Sequence, residues 1–200
     1  MNYLAHMYLS GENDEIKVGN FLGDWVKGSD YLKYSENIRT GIMLHRNIDS
    51  FTDRHPIVNQ SAFRFKLRYA RYSGVVIDIL YDHFLANSWK DFSNVPLREY
   101  VSRLNNIMFN NLELLPARLQ AYLPEFMKEK WMERYATLEG VREVLEAMSK
   151  RTSLPSETEY AISIIESYYS EFRHEFFDFF GQIIEFVEDK FLIKIFRSQM

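Results

Sequence analysis

Five histidines punctuate the 200-residue chain: His6, His45, His55, His83 and His174. The useful question is which of them share apolar helical surroundings with an acid. His45 and Asp49 stand four residues apart, in His45-Arg46-Asn47-Ile48-Asp49. A helix turns such a pair onto one face, about 40° apart. A second cluster, Asp78-Ile79-Leu80-Tyr81-Asp82-His83-Phe84-Leu85, places two carboxylates and a histidine in the most apolar stretch of the first half. A third, Gly19-Asn20-Phe21-Leu22-Gly23-Asp24-Trp25, sets Asp24 between large apolar residues. Burying an unpaired carboxylate is costly, so these acids need partners. A divalent metal can absorb several carboxylates at once. Mixed imidazole and carboxylate ligation suits Mn, Fe, Zn or Ni, and a mostly oxygen shell favours Mg or Mn. The alternative is a structural network in which Asp49 and Asp82 pair with Arg46 or another arginine. Three acid-bearing segments together with His6 favour the metal.

Other motifs carry less. Glu171-x-x-His174 is half of a di-iron carboxylate pattern, which needs the motif twice; no other histidine here follows a glutamate by three residues. His55 precedes Pro56 and reads as a capping or surface residue. Gly-rich phosphate loops, nucleophile elbows and dinucleotide fingerprints are missing. The chain has no cysteine, which excludes disulfides, thiolate zinc, iron–sulfur clusters and a cysteine nucleophile. A formal charge of −4 argues against general nucleic-acid binding, which needs a basic surface. One local exception stands out. From Arg54 through Ile77 there is no acid, while Arg54, Arg64, Lys66, Arg68 and Arg71 all fall there. Such an island is either a solvated helix face or a landing surface for an acidic partner or a phosphate.

The elements that position these residues read as helices. With 46% hydrophobic and 26% charged residues the chain can bury a real core, and 8 glycines and 5 prolines are too few for a turn-dense β-sandwich. Ile38, Ile42, Leu44, Ile48 and Phe51 recur at helical steps after Ser35, a candidate N-cap. Pro56, Pro96 and Pro116 look like helix openers, Gly74 precedes an apolar helix running to about Trp89, and Thr137 caps a helix carrying Val141, Val144, Leu145 and Met148. Ser156-Glu157-Thr158-Glu159 reads as a capping box. Beyond it, Ile165, Tyr168, Phe172, Phe176, Phe179, Ile183 and Val187 form one core stripe, with Gly181 a point of kinking. Ala62 to Tyr69 alternates apolar and basic with a strand's period, but a lone strand has no partner, so it too is read as helix. The expectation is one all-α domain, residues 1–200, of about eight helices. The N-terminus lacks the basic region and apolar run of a leader, and no stretch approaches the roughly 18 apolar residues of a spanning helix. A cytoplasmic location is therefore expected.

The same segments resemble the bacterial acyl carrier protein phosphodiesterase (acyl carrier protein hydrolase) family. The resemblance lies in Met1 to His6, Gly19 to Gly28, Gly41 to Asp49 with Thr52-Asp53, and Asp78 with Tyr81 to Leu85, in that order. Trp131-Met132-x-x-Tyr135 and Val144-Leu145-x-x-Met148-Ser149-x-Arg151 are similar too. The match is specific over roughly the first 90 residues and looser to about residue 151.

The resemblance implies an all-helical fold related to the HD-domain phosphohydrolases and a divalent metal, typically manganese. It implies hydrolysis of the phosphodiester joining 4′-phosphopantetheine to a carrier-protein serine, with holo-acyl carrier protein as substrate. HD enzymes carry an adjacent His-Asp pair, whereas here the pair is reversed as Asp82-His83, so that ligand scheme does not transfer position by position. On this basis the expected metal ligands come from His6, Asp24, His45, Asp49 and Asp82. Asp24 joins the catalytic group, His83 supplies a proton to the departing serine oxygen, and Arg46 clamps a phosphate oxygen. Carrier proteins are strongly acidic, which makes Arg64, Lys66, Arg68 and Arg71 the expected partner surface. The rival readings are an HD-like hydrolase of a nucleotide or other small phosphate ester, and a non-catalytic adaptor for acidic proteins.

Overall fold

The computed structural model describes residues 2–128 and 130–197, and among these the regular structure is helical throughout. Thirteen α-helices follow one another: α1 (Tyr3–Tyr8), α2 (Asp14–Leu22), α3 (Glu36–Arg54), α4 (Pro56–Phe63), α5 (Lys66–Tyr69), α6 (Ser73–Asn87), α7 (Trp89–Phe92), α8 (Leu97–Asn110), α9 (Ala117–Lys128), α10 (Trp131–Arg134), α11 (Leu138–Arg151), α12 (Thr158–Ser167) and α13 (Tyr169–Phe191). The all-α expectation holds, but about eight helices becomes thirteen among the described residues. The surplus comes partly from single turns of four residues, α5, α7 and α10, which are too short to leave a periodic signal.

The architecture is organised around α6. Eleven of its fifteen residues are buried, so it is apolar on nearly every side and must be enclosed by other helices. It packs against α1, α4, α11 and α13. α13 supplies Phe176, which lies against Tyr81, Phe84, Phe92 and Phe180 with ring centroids 5.0–6.2 Å apart. One contiguous hydrophobic core results. No helix among the described residues is long and apolar enough to cross a membrane.

Local sequence signals fare unevenly. Thr137 caps α11 as expected, its hydroxyl accepting from the Gly140 amide at 3.1 Å. The capping box before α12 does not form: α12 starts at Thr158 without a side-chain cap, and Glu159 instead pairs with Arg142. The long aromatic stripe is interrupted at Tyr168, between α12 and α13, and Gly181 lies within the continuous α13. The alternation from Ala62 to Tyr69 is helical at both ends, in α4 and α5, with a turn at Arg64 and Phe65 between them. Its period arises because Phe65 and Tyr69 turn into the core while Phe63 and Leu67 stay outside.

The site depends on how closely α2 and α3 approach. Gly19 on α2 and Gly41 on α3 meet backbone to backbone: a Cβ at Gly19 would collide with the Ile38 carbonyl, and one at Gly41 with the Ile16 carbonyl. Only hydrogen at both positions permits this contact. It sets Asn20 and the segment after it beside His45.

Candidate active site

α1, α2, α3 and α6 converge on a cavity of about 290 Å³, lined by Asn2, Tyr3, His6, Met7, Asn20, Phe21, Asp24, His45, Asp49, Asp53 and Asp78. Each element has a reason to end where it does. Asn2 caps α1 by accepting from the Tyr3 amide at 2.9 Å, and Asn13 caps α2 by accepting from the Ile16 amide at 3.1 Å. His6 therefore leaves α1, Asn20 leaves α2, and His45, Asp49 and Asp53 leave one side of α3.

At the floor, the His6 and His45 rings stack with centroids 4.2 Å apart and planes inclined by 21°. Their Nδ1 atoms both meet Asn20 Oδ1, at 2.9 and 3.1 Å. The Asn20 amide is held in this sense because its Nδ2 donates to the His6 carbonyl and to Ser10 Oγ, each at 2.9 Å, while Ser10 Oγ donates to the same carbonyl. A carbonyl oxygen only accepts, so both imidazoles carry their proton on Nδ1. Their Nε2 atoms then face carboxylates. His6 Nε2 lies 3.1 Å from Asp49 Oδ1, and His45 Nε2 lies 3.1 Å from Asp49 Oδ2 and 3.3 Å from Asp24 Oδ1. With a lone pair on Nε2, acceptor would face acceptor. The arrangement requires positive charge between them, as protons or as a cation.

The electrostatics agree. Burial lowers the His6 pKa more than its hydrogen bond to Asp49 raises it, which favours the neutral ring. Burial also disfavours a charged His45, but the hydrogen bonds to Asp24 and Asp49 prevail and raise its pKa to about 9. Asp49, despite burial, is held below the usual carboxylate range by His45 and His6. Asp24 is lowered chiefly by its hydrogen bond to His45. Asp53 is raised by burial and by the neighbouring charge of Asp78. Four carboxylates thus line one small cavity, and no lysine or arginine among the described residues lines it with them.

The donor set fits a divalent cation. One nitrogen from each histidine and one oxygen of Asp49 lie within 4.8 Å of one another. Bonds of about 2.0–2.2 Å at tetrahedral or octahedral angles separate neighbouring ligand atoms by roughly 3.0–3.5 Å, and the three spacings above fall in that range. A second-shell oxygen on each Nδ1–H is the usual means of orienting ligand imidazoles. The two histidine side chains are only 4% and 7% exposed, whereas those of Asp49 and Asp24 are 40% and 59% exposed. The nitrogens form a dry floor and the carboxylates an open rim.

Three expected site residues are corrected by their placement. Asp82 does not line the cavity. Fully buried in α6, it accepts from the Leu4 and Ala5 amides at 2.9 and 3.2 Å and so closes the N-terminal turn of α1; burial raises its pKa to about 7. His83 faces away, its Nδ1 2.7 Å from the Tyr135 carbonyl and its Nε2 2.9 Å from the Tyr169 hydroxyl, too committed to reach a leaving group in this cavity. Arg46 donates to the Gly28 and Val26 carbonyls at 3.0 and 2.8 Å and fastens the loop after α2. Its guanidinium is spent on backbone, so the arginine-neutralised network considered for Asp49 is not formed through Arg46. Asp24 sits exposed on the rim, not buried between its apolar neighbours.

Sequence reasoning gave no site role to four contributors. Asn20 orients both rings, and Asp53 and Asp78 line the cavity. The fourth is Gly23, where a Cβ would overlap the His45 ring. Gly23→Ala should therefore displace His45 and weaken cation binding at least tenfold while α2 and α3 remain packed, as a calorimetric titration would show.

The family model described as acyl carrier protein phosphodiesterase matches residues 1–183. Among curated proteins, the chain is 32% identical over 191 residues to "Acyl carrier protein phosphodiesterase" of Yersinia enterocolitica, covering 95% of this chain and 99% of the relative. It is 33% identical over 186 residues to the protein of the same name from Pectobacterium atrosepticum, covering 92% and 96%. No solved structure matches.

Proposed function

Because the chain belongs to the acyl carrier protein phosphodiesterase family, and so is an enzyme acting on acyl carrier protein, we propose that it hydrolyses the phosphodiester between 4′-phosphopantetheine and the carrier-protein serine with the help of a divalent cation. The products are apo-carrier protein and free 4′-phosphopantetheine. His6, His45, Asp49 and Asp24 are the proposed ligands, the whole chain acts as one helical hydrolase domain, and its relation to HD-domain enzymes rests on the sequence resemblance. The observation that supports this most is the Asn20 anchor, which turns two imidazole Nε2 atoms toward the same carboxylate.

When bound, the cation lowers the pKa of water and offsets phosphate charge, the two things hydrolysis of a phosphodiester requires. Two imidazoles with carboxylates suit manganese as they suit iron, zinc or nickel, and the family resemblance favours manganese. The rest falls to the chain. Asn20 holds the rings in one tautomer, and Asp24 on the rim fixes the open side of the site. Water adds to phosphorus, the P–O bond to serine breaks, and the proton lost by water passes to the serine oxygen. Asp53, its pKa raised by burial and by Asp78, is the cavity residue suited to carry that proton. The test is to incubate holo-carrier protein with the protein and manganese and weigh the carrier. Loss of the phosphopantetheine mass supports the reading, and an unchanged mass contradicts it.

The protonation of His45 sets the pH dependence of cation binding. Its pKa of about 9, against 6.5 in an unfolded chain, means that the cation must displace a proton at neutral pH. Titrations in two buffers of different ionisation enthalpy should show about one proton released per cation at pH 7.5, with affinity improving toward pH 9. In the cation-free protein the sign is opposite: stability from charged His45 is full below pH 6.5 and is lost as pH rises through about 9.

A further inference from the structure

The basic segment between α4 and α6 does not work as its four cations suggest. Arg64 is withdrawn from the surface: its guanidinium makes a two-pronged contact with Glu175 on α13 at 2.7 and 2.8 Å, a carboxylate that Ser61 and Gln60 also hold. What remains outside is a mixed patch. Phe63 is 69% exposed and Leu67 81% exposed, although Phe65 and Tyr69 between and beyond them are fully buried. Lys66 Nζ lies over the Phe63 ring at 5.7 Å, Arg71 covers and hydrogen-bonds Tyr72, and Arg68 stands 3.7 Å from Glu157 with over half its side chain exposed. The fold does not use Phe63 or Leu67, four residues apart and framed by Lys66, Arg68 and Arg71. Single exposed apolar residues need no explanation, but two of them set inside a cationic frame form a patch.

We propose that Phe63 and Leu67, with Lys66, Arg68 and Arg71, dock an acidic amphipathic helix of the carrier-protein substrate, apolar side chains meeting the Phe63–Leu67 pair and carboxylates meeting the cations. Two observations point to that occupant. The stretch from Arg54 to Ile77 contains no acid on a chain of net charge −4, so it is complementary to an acidic partner and repels a basic one. The patch also ends where α6 begins, and Asp78 of the cavity lies five residues beyond Ser73, a rise of about 8 Å. A partner seated there is within reach of the site by an extended prosthetic arm. This inference rests on the proposed reaction for its partner but concerns a different surface.

The test uses two variants, Phe63→Ser/Leu67→Ser and Lys66→Glu/Arg68→Glu, whose side chains are exposed enough for the protein to fold; melting temperatures confirm it. Both should raise KM for holo-carrier protein at least tenfold and weaken binding of apo-carrier protein equally, while hydrolysis of bis(4-nitrophenyl) phosphate stays unchanged. Salt should raise KM for the parent protein and have less effect on the charge-reversed variant. An unchanged KM, or equal loss on both substrates, overturns the proposal. So does a patch whose variants lose binding only to phosphatidylglycerol vesicles, which would make it a membrane surface. Binding of apo-carrier protein without any hydrolysis by the parent protein upholds the docking surface and overturns the proposed reaction instead.

Discussion

Asp49→Asn should abolish release of phosphopantetheine, lowering kcat/KM at least a thousandfold, about 4 kcal/mol of transition-state stabilisation, and should cost the cation-free protein only the part of its stability that the pairing of Asp49 with charged His45 supplies. Both halves follow from one geometry. Asp49 is the carboxylate shared by His6 and His45, one oxygen to each Nε2 at 3.1 Å. Without it the two nitrogens have no common anionic partner, and a bound cation would lose one of its proposed ligands. Asparagine has almost the same shape: its N–H can donate to the Nε2 lone pair of neutral His6 and its oxygen can accept from His45, but its charge is gone. Activity should therefore fall far further than stability. Steady-state kinetics on holo-carrier protein with thermal melting of the same samples would check this. Activity within tenfold of the parent would remove Asp49 from the ligand set.

Asp82→Ala should do the reverse, lowering stability by about 3 kcal/mol through a residue outside the cavity. Its two oxygens hold the Leu4 and Ala5 amides, both buried, and α1 has only six residues to keep itself in place. Each buried amide left unpaired costs about 1–3 kcal/mol. His6 is carried on α1, so the variant should also bind the cation more weakly, as a consequence of a frayed helix. Denaturant unfolding measures the first effect; normal stability with lost cation binding would instead restore Asp82 as a ligand. The pH dependence has a defined sign. With its pKa raised to about 7 in the folded state and 3.8 in the unfolded chain, Asp82 keeps a proton on folding between those values. Its contribution to stability therefore falls as pH rises from about 4 to 7, and Asp82→Asn should flatten that slope.

These two acids show what could be read from sequence. Both lie in apolar helical stretches near a histidine, and the need for a partner was legible for each. The partner was not. Asp49 finds imidazoles from α1 and from its own helix, while Asp82 finds backbone amides 77 and 78 residues away, and backbone donors leave no mark in composition. The placement of His83 away from the cavity was hidden for a related reason: its neighbours, the Tyr135 carbonyl and Tyr169 hydroxyl, come from the second half of the chain. Helical class, the apolar core and the pairing of His45 with Asp49 were accessible because periodicity and residue type carry them, whereas the addition of His6 and Asp24 to that pair rested on the family resemblance. Gly19, Gly23 and Gly41 were visible too, but that they admit another helix or the His45 ring became clear only once α2 and α3 were in contact. Helix boundaries such as that at Tyr168 were set by packing, which propensity does not encode.

His6, His45 and Asp49 are proposed to hold a divalent cation jointly. Titrating the protein with Mn²⁺ and following the free-ion electron paramagnetic resonance signal addresses that proposal directly. The parent protein should take up Mn²⁺, and both His45→Ala and Asp49→Asn should lose that uptake. Undiminished uptake in these variants, or none in the parent protein, would contradict the proposal.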